Sequence, residues 1–207
     1  AADIPPHDGT ATAVGNTVQV TGFTRMGWAG PSFEGDSAKQ TAAGKLIAIN
    51  QFGPGNNIDW SYAFHSSLNL AHVPSVMPGS SNIDGMFYGC TSLTEIVADQ
   101  WDTSSLTSLE RVFINCTNLT KLYARDWDVS SVTTFVGLFA NTGFTSVNDI
   151  VGLLPNSPTG WDFSSAESFE EMFMDSNLAG AVLWTNMETG SNLTSLNKMF
   201  AGTNVTA

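Results

Sequence analysis

The feature that most constrains this chain is repetition. A hydrophobic residue followed by Phe recurs in AFHSS from Ala63, MFYGC from Met86, VFINC from Val112, LFANT from Leu138, MFMDS from Met172 and MFAGT from Met199. The phenylalanines themselves, Phe64, Phe87, Phe113, Phe139, Phe173 and Phe200, are separated by 23, 26, 26, 34 and 27 residues. A second pattern keeps phase with the first: WDTSSLTSLERVF from Trp101, WDVSSVTTFVGLF from Trp127 and WDFSSAESFEEMF from Trp161. Between the two lies a third, LTEIVA from Leu93 and LTKLYA from Leu119, echoed at FTSVND from Phe144 and LAGAVL from Leu178. Self-similarity at this period marks units that cannot bury their apolar face alone and do so by stacking on their neighbours. The 34-residue step is a 26-residue unit lengthened by an insertion near residues 148–160.

Each unit reads as a strand, a Trp-Asp turn, a short helix and a Phe-x-x-Cys/Thr/Ser corner. In LTEIVA, Leu93, Ile96 and Ala98 are expected to point inward and Glu95 and Val97 outward, the alternation of a short half-buried strand. Glu95, Val97, Lys121, Tyr123, Ser146 and Asn148 then line one exposed face, the candidate ligand-binding surface. After the strand, Asp102, Thr103, Ser104 and Ser105 offer helix N-caps ahead of the apolar spacing Leu106, Leu109, Val112 and Phe113. With units about 4.8 Å apart at the strands, each Phe is expected near the Phe of the next unit, in an internal ladder.

The Phe-x-x-Cys-x-x-Leu corner, the Trp-Asp-x-Ser-Ser-Val/Leu-Thr turn and the 26-residue step resemble the BspA-type leucine-rich repeats of bacterial surface proteins, over about residues 57–207. The resemblance implies an α/β fold: a right-handed leucine-rich-repeat solenoid with short parallel strands on one face and short helices on the other. It also implies a cell-surface or extracellular role. The sequence departs from the family pattern at the insertion around Asp149, at LWTNMETGSNL after Leu183, and in the later corners that lack Cys. Residues 46–52, LIAINQF, resemble one more strand of the same phase, so the expected division is an N-terminal capping region over 1–44 and a solenoid of five to six coils over 45–207. The chain stops within a repeat, as a module of something longer would.

Composition narrows the partners. Seven Lys and Arg against 19 Asp and Glu leave a net charge of −12, which repels a phosphate backbone or an anionic membrane surface, so nucleic acid is not expected. No apolar run approaches the roughly 18 residues of a membrane span, so membrane insertion is not expected either. The first residues lack the charged start and apolar stretch of a signal peptide.

The chemistry-bearing residues point away from catalysis. His7, His65 and His72 show neither zinc-ligand spacing nor pairing with a nucleophile, and neither Cys lies in a Cys-x-x-Cys motif. Ser and Thr are abundant, yet none sits in Gly-x-Ser-x-Gly, and there is no phosphate-binding loop. Cys90 and Cys116, one repeat apart at the same corner, could reach a disulfide. Thr142, Ser176 and Thr203 hold the equivalent places, which favours a small buried weakly polar group and hence free thiols. Asp102, Asp128 and Asp162 form an in-phase ladder whose plain role is capping, and whose sharper role is to share a cation. With Asp149 and the acidic group Glu167, Glu170, Glu171 and Asp175 they are the calcium candidates, although no cofactor is required. Trp101, Trp127 and Trp161 are expected to cover the strand-to-helix turn. Asn115, Asn118, Asn192 and Asn204 lie in glycosylation sequons.

These features lead to a non-catalytic extracellular adhesion module that binds a protein partner or a second copy of itself, with calcium as a candidate stabiliser. The alternatives are carbohydrate binding through Trp, Tyr and Asn, and a structural or ice-binding surface. The last needs an outward Thr in every repeat; Thr94 and Thr120 fit, but Ser and Ala interrupt the rank later.

Overall fold

A computed structural model describes residues 10–14, 17–21, 46–52, 57–153, 160–181 and 190–206 of this chain. Its strands are two to five residues long. An antiparallel hairpin, β1 (Thr10–Val14) and β2 (Thr17–Thr21), comes first. Then follow β3 (Ile58–Asp59), β4 (Val76–Met77), β5 (Ser80–Asn82), β6 (Glu95–Val97), β7 (Gln100–Trp101), β8 (Lys121–Tyr123), β9 (Ile150–Val151), β10 (Ala179–Ala181) and β11 (Asn204–Thr206). After the hairpin every pairing is parallel and joins one repeat to another: β3 with β5, β4 with β7, β6 with β8 and β9, and β10 with β11. The expected capping region 1–44 lies outside the described residues except for the hairpin. The expected strand over 46–52 is present only as an isolated bridge between Ala48 and His72.

The α/β leucine-rich-repeat solenoid with helices along one face is overturned. Among the described residues there is no α-helix, and the one helical element is a three-residue 3-10 turn, Val147–Asp149. Among the described residues the strands make five small sheets instead of one continuous face. The reason is where the backbone N–H groups go. In the segments expected to be helical, alternate residues donate to the neighbouring repeat: Leu109 to the Thr134 carbonyl, Arg111 to Val136, Phe113 to Leu138 and Asn115 to Ala140. Between them, Ile114 and Cys116 close tight turns on the carbonyls three places back, Arg111 and Phe113, while Glu110 donates to the Asp84 carboxylate.

Such a chain of turns needs a left-handed residue at every fourth place, which no helix tolerates. These places are Tyr62 and Ser66, Gly85 and Gly89, Arg111 and Asn115, Gly137 and Asn141, Glu171 and Asp175, and Lys198 and Gly202, all with φ between 52° and 75°. The capping side chains fare accordingly. Asp102, Asp128 and Asp162 each accept the N–H of the residue two places on, Ser104, Ser130 and Ser164, closing a local turn where a helix start was expected.

The apolar core runs through the repeats. Leu106, Leu109, Val112, Phe113, Cys116, Leu119 and Leu122 are all buried, and the turns carry this spacing of about three residues inward as well as a helix would. The phenylalanine ladder is continuous: Phe64 to Phe87 at 5.6 Å, Phe87 to Phe113 and Phe113 to Phe139 at 5.9 Å, then Phe139 to Phe173 and Phe173 to Phe200 at 5.5 Å. Beside it Trp101, Trp127 and Trp161 stack at 5.8 and 5.4 Å. Each indole N–H donates to a carbonyl of an earlier repeat, Pro74, Ala98 and Ala124 respectively, so these polar edges are satisfied inside. No helix among the described residues is long and apolar enough to cross a membrane.

Candidate binding face

Parallel pairing in register sets the outward side chains of β6 and β8 directly abreast. Glu95 lies beside Lys121 and Val97 beside Tyr123, while Ile96 and Leu122 between them face the core. Glu95 and Val97 are exposed, and Lys121 and Tyr123 are half-buried. The third strand enters later than the FTSVND echo suggests. Ile150 pairs with Leu122 and Val151 with Tyr123, so the position beside Lys121 belongs to Asp149, whose carboxylate lies 3.6 Å from the Lys121 ammonium. The face therefore carries a charged row, Glu95, Lys121, Asp149, and an apolar row, Val97, Tyr123, Val151.

Ser146 and Asn148 sit just before that strand. The Ser146 hydroxyl caps the 3-10 turn by accepting the Asn148 N–H, and Asp149 closes the capping box by accepting the Ser146 N–H. Asp149 also accepts from the amide and hydroxyl of Thr145. Its carboxylate thus has several donors already, besides Lys121.

Of the other cation candidates, Asp128 and Asp162 border one open depression of about 390 Å³ with Arg125, Asp126, Trp127, Val129, Ser130 and Gly160. Asp102 is not part of it. The hydroxyl and amide of Ser130 hold the Asp128 carboxyl below its ordinary pKa. No group of three His, Cys, Asp or Glu gathers as a metal cage among the described residues.

Two clusters carried no signal in the repeat pattern. Asp84 is half-buried, accepts from the Ser108 hydroxyl at 2.6 Å and the Glu110 amide at 3.0 Å, and has its pKa pushed up by burial against the pull of those bonds. On the neighbouring corner the His65 ring packs on Tyr88 at 4.5 Å, with Tyr62 6.1 Å from His65. Burial and then the charge of Glu110 push the Tyr62 hydroxyl up. Only a non-glycine at a left-handed place, as at Tyr62 and Arg111, could have hinted at this ridge, and side chains there are not legible from spacing.

Cys90 and Cys116 are free and buried, and donate to the carbonyls of Phe64 and Phe87. Burial pushes the Cys90 thiol far up and that of Cys116 to about 12, so neither ionises as a nucleophile or soft metal ligand near neutrality.

Against known families, the model described as "Mycoplasma protein of unknown function, DUF285" matches residues 81–207. No curated protein and no solved structure matches the chain.

Proposed function

The chain belongs to the DUF285 family, which brings no activity with it, so we propose a function from the geometry: a non-catalytic binding module whose β6–β8–β9 face takes a protein partner. The observation that carries this reading is the outward double row, charged at Glu95, Lys121 and Asp149 and apolar at Val97, Tyr123 and Val151, held on strands in register, with Glu95 and Val97 exposed and the other four half-buried. The aromatic ladders and cross-repeat hydrogen bonds beneath make it a rigid platform, so little ordering entropy is lost on binding. The motif resemblance to bacterial surface proteins favours an extracellular, adhesive setting.

Carbohydrate binding finds less support. Trp101, Trp127 and Trp161 are buried, and the rings of His65 and Tyr88 pack on each other, which leaves few ring faces for a sugar among the described residues. Calcium remains a proposed stabiliser for Asp128 and Asp162 on their shared depression.

The test is a peptide, protein-fragment and glycan array probed with wild type and with Tyr123→Ala and Lys121→Glu. Polypeptide hits that both substitutions abolish, at unchanged melting temperature, support the reading. Binding that ignores both substitutions, or that is confined to glycans, sinks it. A calcium arm matched in ionic strength by sodium chloride separates a bound ion from screening.

A further inference from the structure

We propose that the partner of this face is a second copy of the chain, docked about a two-fold axis that runs along the strands midway between β6 and β8. The inference rests on the binding-face reading above and names its occupant.

The argument starts from charge. A chain with seven basic residues and a net charge of −12 repels its own copies over most approaches. The turn edge is acidic, with Asp102, Asp126, Asp128, Asp162 and Glu167 all exposed. The strand face differs, because Lys121 stands centrally on it between Glu95 and Asp149. Lys121 is paired with Asp149, while Glu95 has no ion-pair partner among the described residues.

Symmetry then brings a cation to Glu95. A two-fold axis parallel to β6 and β8 carries the β6 of one copy over the β8 of the other without reversing strand direction. Glu95 of each copy comes to lie over Lys121 of the other, because the two are abreast in the parallel register. The same rotation lays Val97, 43% exposed, over Tyr123 of the other copy, twice. One more repeat outward on each side, Asp149 comes over the place that repeat spacing gives to His72, an exposed residue 23 positions before Glu95 as Phe64 is 23 before Phe87. Every directly facing charged pair in this arrangement joins opposite signs or a carboxylate to an imidazole. An isologous interface requires such self-complementarity of a single patch. Two sheet faces packing in this way stand about 10 Å apart, within reach of Glu and Lys side chains.

The strip is narrow beside the roughly 800 Å² per partner of a stable interface, so association is weak and transient.

Sedimentation equilibrium of the purified chain from roughly 10 µM to 1 mM tests this, a range that covers weak association. Wild type is expected to shift from monomer to dimer across the range. Glu95→Lys and Lys121→Glu each place like charges together twice, and are expected to weaken association at least about tenfold. An equimolar mixture of the two variants restores opposite signs at both contacts and is expected to dimerise as wild type does. Circular dichroism and melting confirm that each variant is folded. A monomeric wild type at 1 mM, a Glu95→Lys variant that dimerises normally, or a mixture that stays monomeric overturns the proposal. If the chain is monomeric while the array gives polypeptide hits sensitive to Lys121→Glu, the second copy is wrong and the binding face stands. If neither appears, both fall.

Discussion

Replacing Gly85 by Ala distinguishes a chain of turns from a helix by the sign of its effect. Gly85 has φ of +60°, where an L-residue costs about 1 kcal/mol or somewhat more. A Cβ built there would stand 2.3 Å from Cε1 and 2.5 Å from Cδ1 of the Tyr62 ring, which would have to shift. Overpacking of that kind adds about 1–3 kcal/mol. The expected loss is therefore about 2–4 kcal/mol, or a melting temperature lower by roughly 5–15 °C in a chain of this size. Had these residues been helical, Gly to Ala would instead have gained up to about 1 kcal/mol. Equilibrium urea denaturation of wild type, Gly85→Ala, Tyr62→Ala and the double variant separates the two causes. With the ring removed, Gly85→Ala should cost only the backbone part, about 1 kcal/mol. A Gly85→Ala protein as stable as wild type, or more so, would refute the left-handed turn.

Phe113→Ala should cost about 3–5 kcal/mol in the same assay, because the ring is fully buried and stacked 5.9 Å from a ring on either side; a loss under about 1 kcal/mol would mean the ladder does not carry the core. Cys90 and Cys116 should resist a thiol reagent at mild alkaline pH in the native protein and react fully in denaturant, and fast native labelling would contradict their burial. Asp84 binds its proton more tightly folded than unfolded, so it removes stability as pH rises from the ordinary Asp range, near 3.9, through its raised value. Asp84→Asn keeps an oxygen for Ser108 and Glu110, so its stability relative to wild type should increase over that window and then level; a flat or falling difference would show that the carboxylate is not penalised.

The repeat phase, and with it the phenylalanine ladder, was legible in the sequence alone; the phase of Trp101, Trp127 and Trp161 was legible too, but not that their rings stack. Identical side chains at 26-residue spacing have a low-energy arrangement when each ring lies on the ring of the next repeat, and Phe87, Phe113 and Phe139 do so with their planes almost parallel. The alternation in LTEIVA and LTKLYA likewise determined which residues of β6 and β8 face out, since a strand has only two faces. The secondary structure between the strands was not legible. Apolar residues every three to four places satisfy a helix and a chain of tight turns alike, and the left-handed places that separate them are marked by Gly in some repeats but by Arg111, Glu171 and Lys198 in others. What decides is the neighbouring repeat, whose carbonyls receive the N–H groups of Leu109, Arg111, Phe113 and Asn115. The candidate face divides along the same line. Glu95 beside Lys121 followed from repeat spacing, whereas Asp149 and Val151 took the places beside Lys121 and Tyr123 because the insertion shifts the third strand past Ser146 and Asn148. Local sequence determines which side chains alternate and recur; pairing between distant segments, which a single repeat cannot encode, determines where each backbone hydrogen bond ends and hence what shape the repeat takes.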